Sequence, residues 1–189
     1  MVPTTLINTL DEKPFLKEVS ISYVEAGFEI YLVGGAVRDG ILGIETKDFD
    51  FTTNARPEDS LKILHKNGYK TTEIGKAFGT VETIIDECSV HITTYREDTY
   101  DKDSRKPEVK TSKDLDTDLS RRDFTINAVA YDINKNEIID PYSGLKDLSD
   151  GVIRTPDSPD ISFSDDPLRM LRACRFISTH GLTPNNNVL

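Results

Sequence analysis

Cysteine, net positive charge and long apolar runs are all scarce in this 189-residue chain. The two cysteines, Cys88 and Cys174, lie far apart, so no zinc cluster is expected and a reduced, cytoplasmic setting follows. The first ten residues lack the charged start and apolar stretch of a secretory signal, and no run approaches the roughly 20 apolar residues of a membrane span. A membrane partner is therefore excluded from the reading. Lys and Arg number 23 against 33 Asp and Glu, a formal charge of -10, which offers no general footprint for gripping a phosphate backbone. If nucleic acid is a partner, most of the grip lies elsewhere. What is present is ordinary globular material, 37% hydrophobic and 30% charged. A chain of this length buries roughly 70% of its unfolded surface, as one domain or one domain with the beginning of a second.

Apolar periodicity divides the chain into elements. Phe15, Leu16, Val19, Tyr23 and Val24 recur at helical spacing and stop at Gly27, after which Ile30-Tyr31-Leu32-Val33 reads as a short buried strand ending at Gly34-Gly35. Residues 36–42 suit a short helix closed by Gly43, and 47–53 alternate in a strand rhythm. Pro57 opens a helix whose first turn holds Glu58 and Asp59, where the helix dipole favours acids. Two runs rich in Val, Ile and Thr, 79–86 and 89–96, flank Glu87-Cys88 as a hairpin would, so the sheet is at least partly antiparallel. Of the 22 residues 97–118, 13 are charged, and a long mobile loop is expected there. A helix over 119–131, a strand around Ile138-Ile139, a turn at Asp140-Pro141 and a helix over 164–180 follow. The string 181–189 reads as a loop, and the chain reads as cut short.

Three constellations could carry chemistry. Strand alternation in Asp48-Phe49-Asp50 projects both carboxylates from one face and sends Phe49 and Phe51 into the core. Residues two apart on a strand lie roughly 7 Å apart at Cα, near enough for two Mg²⁺ ions about 4 Å apart, a device for nucleotidyl transfer. Gly34-Gly35, about a dozen residues earlier at a strand-to-helix turn, leaves backbone N–H groups free to face a triphosphate. Each has a plain reading alone, as solvated surface or an ordinary turn; together they set phosphate cradle and metal site on successive elements. Arg38, one turn into the helix, could touch phosphate, with Asp39 as its structural partner.

On the 164–180 helix, Asp165, Arg169 and Arg172 fall at about 0°, 40° and -20°, a single stripe, with Met170, Cys174 and Ile177 on the far side. The stripe is either a surface ion pair or an arginine whose carboxylate-held donor fork reads the edge of a base. In Arg121-Arg122-Asp123-Phe124-Thr125-Ile126-Asn127, a helix would set Asp123 and Asn127 on one face to engage a ribose hydroxyl and a base or phosphate. The spacing Ser120-x-x-Asp123 equally fits a helix cap.

Taken in order, Leu32-Val33-Gly34-Gly35-Ala36-Val37-Arg38-Asp39, Asp48-Phe49-Asp50-Phe51-Thr52-Thr53-Asn54-Ala55-Arg56-Pro57-Glu58, Arg121 to Ala128, Asp140-Pro141-Tyr142-Ser143-Gly144-Leu145 and Asp165-Asp166-Pro167-Leu168-Arg169-Met170-Leu171-Arg172 resemble the class II tRNA nucleotidyltransferase and poly(A) polymerase family. The resemblance runs from about residue 15 to the end of the sequence. It implies an α+β fold, the DNA polymerase β-like nucleotidyltransferase head, with a mixed, partly antiparallel sheet flanked by helices. The head would occupy 1–155, with 97–118 as a flexible loop; 156–189 would begin a helical neck, and the body and tail domains would be missing.

The resemblance also implies roles. Asp48 and Asp50 would be the catalytic Mg²⁺ ligands, and Gly34, Gly35, Arg38, Arg122, Asp123, Asn127, Asp165, Asp166, Arg169 and Arg172 would bind the nucleotide. Among these, Asp123 would contact the ribose 2′-OH, Asp165 and Arg169 would pair with cytosine or adenine, and Arg172 would reach the phosphates. The implied activity is template-independent, two-metal addition of CMP and AMP to the tRNA 3′ end from CTP and ATP, releasing pyrophosphate. Within the family, the stretch from Ile74 to Val81 is similar to the Gly-x-x-x-Gly-Thr of CCA-adding enzymes, and Arg105-Lys106-Pro107 sits in a loop like the one that switches such enzymes from C to A. CCA addition leads, with poly(A) polymerase and a catalytically silent nucleotide-binding fragment as alternatives. Two departures stand out: Asp165-Asp166 replaces the usual Glu-Asp, one methylene shorter, and His91 stands where many relatives carry a Glu that serves as a third acidic group. An imidazole is a poor ligand for Mg²⁺, so the site works with two carboxylates or at reduced activity.

Overall fold

Strand alternation sets the layering. In β2 (Asp48–Thr53), Phe49 and Phe51 are buried while Asp48 and Asp50 are exposed, so one sheet face is greasy and the other acidic. The computed structural model describes residues 2–72, 79–99, 108–112, 114–185 and 188. Seven strands form one mixed sheet: β1 (Ile30–Val33), β2, β3 (Thr71–Thr72), β4 (Thr80–Ile85), β5 (Cys88–Thr94), β8 (Ala130–Asp132) and β9 (Glu137–Ile139), in the order β3-β4-β5-β2-β1-β8-β9. The β2–β5 pair is parallel and the other pairs are antiparallel. Two further strands, β6 (Arg96–Thr99) and β7 (Glu108–Thr111), make a separate antiparallel ribbon.

Helices α1 (Thr4–Asp11), α2 (Pro14–Glu25), α3 (Gly35–Leu42) and α4 (Pro57–Lys66) carry the apolar residues that meet the greasy face. Phe15, Leu16, Val19 and Tyr23 of α2 and Leu64 of α4 join Leu32, Phe49, Phe51, Val90 and Ile92 in the main core. Phe15 meets Phe49 edge to face, with centroids 5.9 Å apart. Each of the Leu, Val, Ile and Phe side chains contributes about 1.5–3 kcal/mol on burial. The opposite sheet face carries Asp48, Asp50 and His91. Among the described residues no helix is long and apolar enough to cross a membrane.

Three expectations fail for physical reasons. The helix read over 119–131 is instead the end of α5 (Leu115–Ser120), a 3-10 turn at Thr125–Asn127 and β8. Tertiary pairing overrides the periodicity: Thr125 N donates to Arg154 O at 2.8 Å, and Ala130 and Tyr131 pair with Val33 and Leu32 of β1. The helix read over 164–180 breaks into α7 (Pro159–Asp165) and α8 (Leu168–His180), because Pro167 forces Asp166 into an extended conformation, φ -141° and ψ 96°. The segment 97–118 is not wholly a loop, since it holds most of β6, all of β7 and the start of α5, and Ser112 N donates to Tyr95 O at the root of the ribbon. Of the stretch from Ile74 to Val81, residues 74–78 lie outside the described residues, as does Arg105-Lys106-Pro107.

A second core joins α8 to the 3-10 turn and to β10 (Val152–Ile153), through Phe124, Ile126, Ile153, Ala173, Phe176 and Leu182. Helix α6 (Gly144–Asp150) presses on the same turn so closely that a Cβ at Gly144 would lie 2.1 Å from Thr125 O. Glycine is required there by contact. Asp147 of α6 accepts from Thr125 Oγ1 at 2.5 Å and from Arg154 Nε at 2.9 Å, which completes the clamp.

Candidate active site

Asp48 and Asp50 stand on the open sheet face, as the alternation predicts. The parallel register sets His91 of β5 opposite Asp50, and the antiparallel register sets Glu82 of β4 opposite His91. His91 Nδ1 lies 3.3 Å from Asp50 Oδ1 and its Nε2 3.6 Å from Glu82 Oε1. The hydrogen bond to Asp50, outweighing desolvation, raises the imidazole above its ordinary 6.5. His91 therefore braces Asp50, a contact between residues 41 positions apart that no local pattern signals.

Beside this row, the end of β1 turns into α3. Gly34 has φ 71° and ψ -137°, a conformation closed to residues with a side chain. A Cβ there would sit 3.2 Å from Arg122 Nη1 and 3.6 Å from Asp50 Oδ2. The Gly34 turn, the Asp50 carboxylate and the Arg122 guanidinium thus share one recess, next to the first amides of α3.

Arg38 does not open onto that recess as a phosphate contact. It is 8% exposed, donates through Nε and Nη2 to Asp39 at 2.8 and 3.0 Å and through Nη1 to Asn127 Oδ1 at 2.6 Å, and lies 4.9 Å over the Phe176 ring. It ties α3 to the 3-10 turn and α8. Asn127 in turn donates to Asp123 Oδ1 at 2.9 Å, so these two residues meet without the helix that was expected to align them. Asp123 also accepts from Phe124 N at 2.8 Å and from Arg172 Nε at 3.1 Å; it caps no helix with Ser120. Arg172 reaches Asp166 Oδ2 through Nη2 at 2.9 Å.

The break at Pro167 dissolves the expected stripe. Asp165 and Arg169 line a polar cavity of about 190 Å³ with Glu97, Arg121, Asp157 and Ser162, while Arg172 joins Asp166 and Asp123. Arg169 is 6% exposed and donates to Ser162 Oγ at 2.7 Å and Arg121 O at 2.6 Å. Burial lifts the Asp165 carboxyl above 3.8 even with Arg169 nearby.

Asp118, which the charged composition of 97–118 disguises as solvated surface, is fully buried. Its Oδ1 accepts from Arg121 Nη2 and Nε at 2.7 and 3.1 Å and from Arg96 N at 3.3 Å; its Oδ2 accepts from Thr52 Oγ1 at 3.0 Å and Arg122 Nη2 at 3.2 Å. The arginine pair Arg121-Arg122, three and four residues after Asp118 and so within helical reach of it, is the signal that could have exposed it.

Among the described residues, no three His, Cys, Asp or Glu side chains cluster closely enough to hold a metal by themselves. Any ion at Asp48 and Asp50 must complete its shell from substrate and water, which suits Mg²⁺, usually held by one or two carboxylates plus phosphate oxygens.

Comparison with known proteins places this geometry. Residues 30–154 match the sequence model of the poly A polymerase head domain. The CCA-adding enzyme of Ligilactobacillus salivarius is 44% identical over 153 residues, covering 80% of this chain and 37% of that protein. The CCA-adding enzyme of Bacillus pumilus is 43% identical over 172 residues, covering 89% and 42%. The chain spans about two fifths of the length of these curated relatives. The crystal structure of the Bacillus stearothermophilus CCA-adding enzyme in complex with CTP superposes with a TM-score of 0.80 at 35% identity, over 90% of this chain and 40% of that one. The Thermotoga maritima CCA-adding enzyme complexed with tRNA superposes at 0.76 and 29%, over 98% and 42%. The match of residues 30–154, about two thirds of the chain, shows that the chain belongs to the poly A polymerase head domain family.

Proposed function

We propose that this chain is the catalytic head of a CCA-adding tRNA nucleotidyltransferase, transferring CMP and AMP from CTP and ATP to the tRNA 3′ end with release of pyrophosphate. The observation that carries the reading is the recess where the Gly34 turn, Asp50 and Arg122 converge beside Asp48. The relatives named CCA-adding enzymes, one of them solved with CTP, support the choice of substrates. Residues 1–155 form the head on this reading, and 156–189 begin a neck.

Asp48 and Asp50 supply hard oxygen ligands for Mg²⁺, with His91 holding one Asp50 oxygen. When bound, Mg²⁺ offsets triphosphate charge and lowers the pKa of the attacking hydroxyl. Gly34 leaves room for the triphosphate against the unpaired first amides of α3. Arg122 and Arg172 place positive charge where pyrophosphate departs. Asp123, fixed by Phe124 N, Asn127 and Arg172, keeps lone pairs in place for the ribose hydroxyl. Asp165, Asp166 and Arg169 flank the Pro167 break, and base selection is assigned to them.

The test is incorporation of labelled CMP and AMP into tRNA lacking its 3′ CCA, with Mg²⁺. Activity that disappears in both Asp48→Ala and Asp50→Ala is the expected result. Incorporation retained by both variants would overturn the metal assignment, and a ladder of A tracts on generic RNA with ATP alone would replace CCA addition by poly(A) synthesis.

A further inference from the structure

Asp118 has no part in the chemistry described so far, yet its surroundings are those of a control point. Burying a carboxylate costs several kcal/mol unless its lone pairs are filled and counter-charges lie close. Here five donors from three elements converge on it: Thr52 from β2, the Arg96 amide at the root of β6, and the two guanidinium groups that follow α5. A tie needed only for stability is commonly replaced by apolar packing without loss.

The two arginines lead in different directions. Arg121 carries the carbonyl that holds Arg169 Nη2 at 2.6 Å. Arg122 is gripped through Nη2, while Nη1 points into the recess, 3.2 Å from where a Gly34 Cβ would begin. Its Nε is buried with no hydrogen-bond partner among the described residues. Among the described residues, Asp118 is the carboxylate within ion-pair distance of this guanidinium, at 3.2 Å, while Nη1 and Asp50 Oδ2 each lie within 4 Å of the empty glycine Cβ position.

We propose that Asp118 is a positioning residue that aims Arg122 at the triphosphate and fastens the root of the β6/β7 ribbon to the same carboxylate. The inference rests on the functional reading above. It requires that Asp118 act on phosphate recognition through Arg122, independently of the base.

The experiment is a calorimetric titration of the chain with CTP and with inorganic tripolyphosphate, in Mg²⁺. A charge-assisted hydrogen bond is worth about 1.5–3 kcal/mol, so Asp118→Asn should weaken both probes by roughly ten- to a hundredfold, and by the same factor for each. In an Arg122→Ala background the Asp118→Asn penalty should vanish, whereas a merely structural role would leave the two effects additive. Should Asp118→Asn fail to fold, Thr52→Val removes one donor from the same oxygen and should weaken both probes by a smaller factor. Unchanged binding in the Asp118 or Thr52 variant, or additivity with Arg122→Ala, overturns the proposal alone. A folded wild-type chain that binds neither probe overturns the functional reading with it.

Discussion

Two adjacent glycines should respond oppositely to the same methyl group. Gly34, at φ 71° and ψ -137°, lies in backbone territory that costs a side-chain-bearing residue on the order of 1–3 kcal/mol. Its Cβ would also crowd Arg122 Nη1 at 3.2 Å. Gly35 opens α3, and its Cβ would meet Arg38 Nη2 at 3.5 Å and Asp39 Oδ2 at 3.9 Å, ordinary contact distances. Alanine at a compatible glycine position stabilises by about 0.4–1 kcal/mol, through the unfolded chain. The two variants should therefore differ by about 1.5–4 kcal/mol, which for a domain of this size separates their melting temperatures by roughly 3–16 °C. Circular dichroism melts of Gly34→Ala and Gly35→Ala measure this. Coincident melts, or Gly34→Ala melting above wild type, would refute the strain argument. The same Gly34→Ala methyl would stand between Asp50 and Arg122, so triphosphate affinity should fall with stability.

Two further predictions follow from the packing around the turn at 125–127 and from Asp118. Gly144→Ala forces a Cβ to within 2.1 Å of Thr125 O, so helix α6 must shift, and a denaturant titration should show a loss of at least about 2 kcal/mol; an unchanged midpoint would mean that the clamp is soft. Burial pushes the Asp118 carboxyl up, but the guanidinium groups of Arg122 and Arg121 and the donors around it prevail and hold it below 3.8. A depressed folded-state pKa contributes stability that is present above the unfolded value and lost as pH falls through the folded one. The stability gap between wild type and Asp118→Asn should therefore be widest at about pH 6 and shrink towards pH 3; a gap constant over that range would contradict the ion-pair account.

The parts of the site that were legible in the sequence are the local ones. Two-residue alternation places Asp48 and Asp50 against Phe49 and Phe51 whatever surrounds them, and a glycine pair between strand and helix marks its own turn. Pairings between distant strands were not legible: His91 meets Asp50 because β5 runs parallel to β2. Arg38 reads as a residue that could touch phosphate, whereas Asn127 and Phe176 close over it. Asp165, Arg169 and Arg172 lose their common stripe because Pro167, read as part of a helix, ends one. Asp118 shows the strongest conflict, since a carboxylate that is one of 13 charged residues in 97–118 reads as solvated and is in fact fully buried.

The central claim is that the recess holds a nucleoside triphosphate and that residues around Pro167 choose its base. The most direct measurement is calorimetric titration of the folded chain with CTP, ATP, GTP and UTP in Mg²⁺, beside Arg169→Ala. The expected result is binding of CTP and ATP in preference to GTP and UTP, with the preference lost in the variant. Equal binding of all four by the wild type, or a preference that survives in Arg169→Ala, would contradict it.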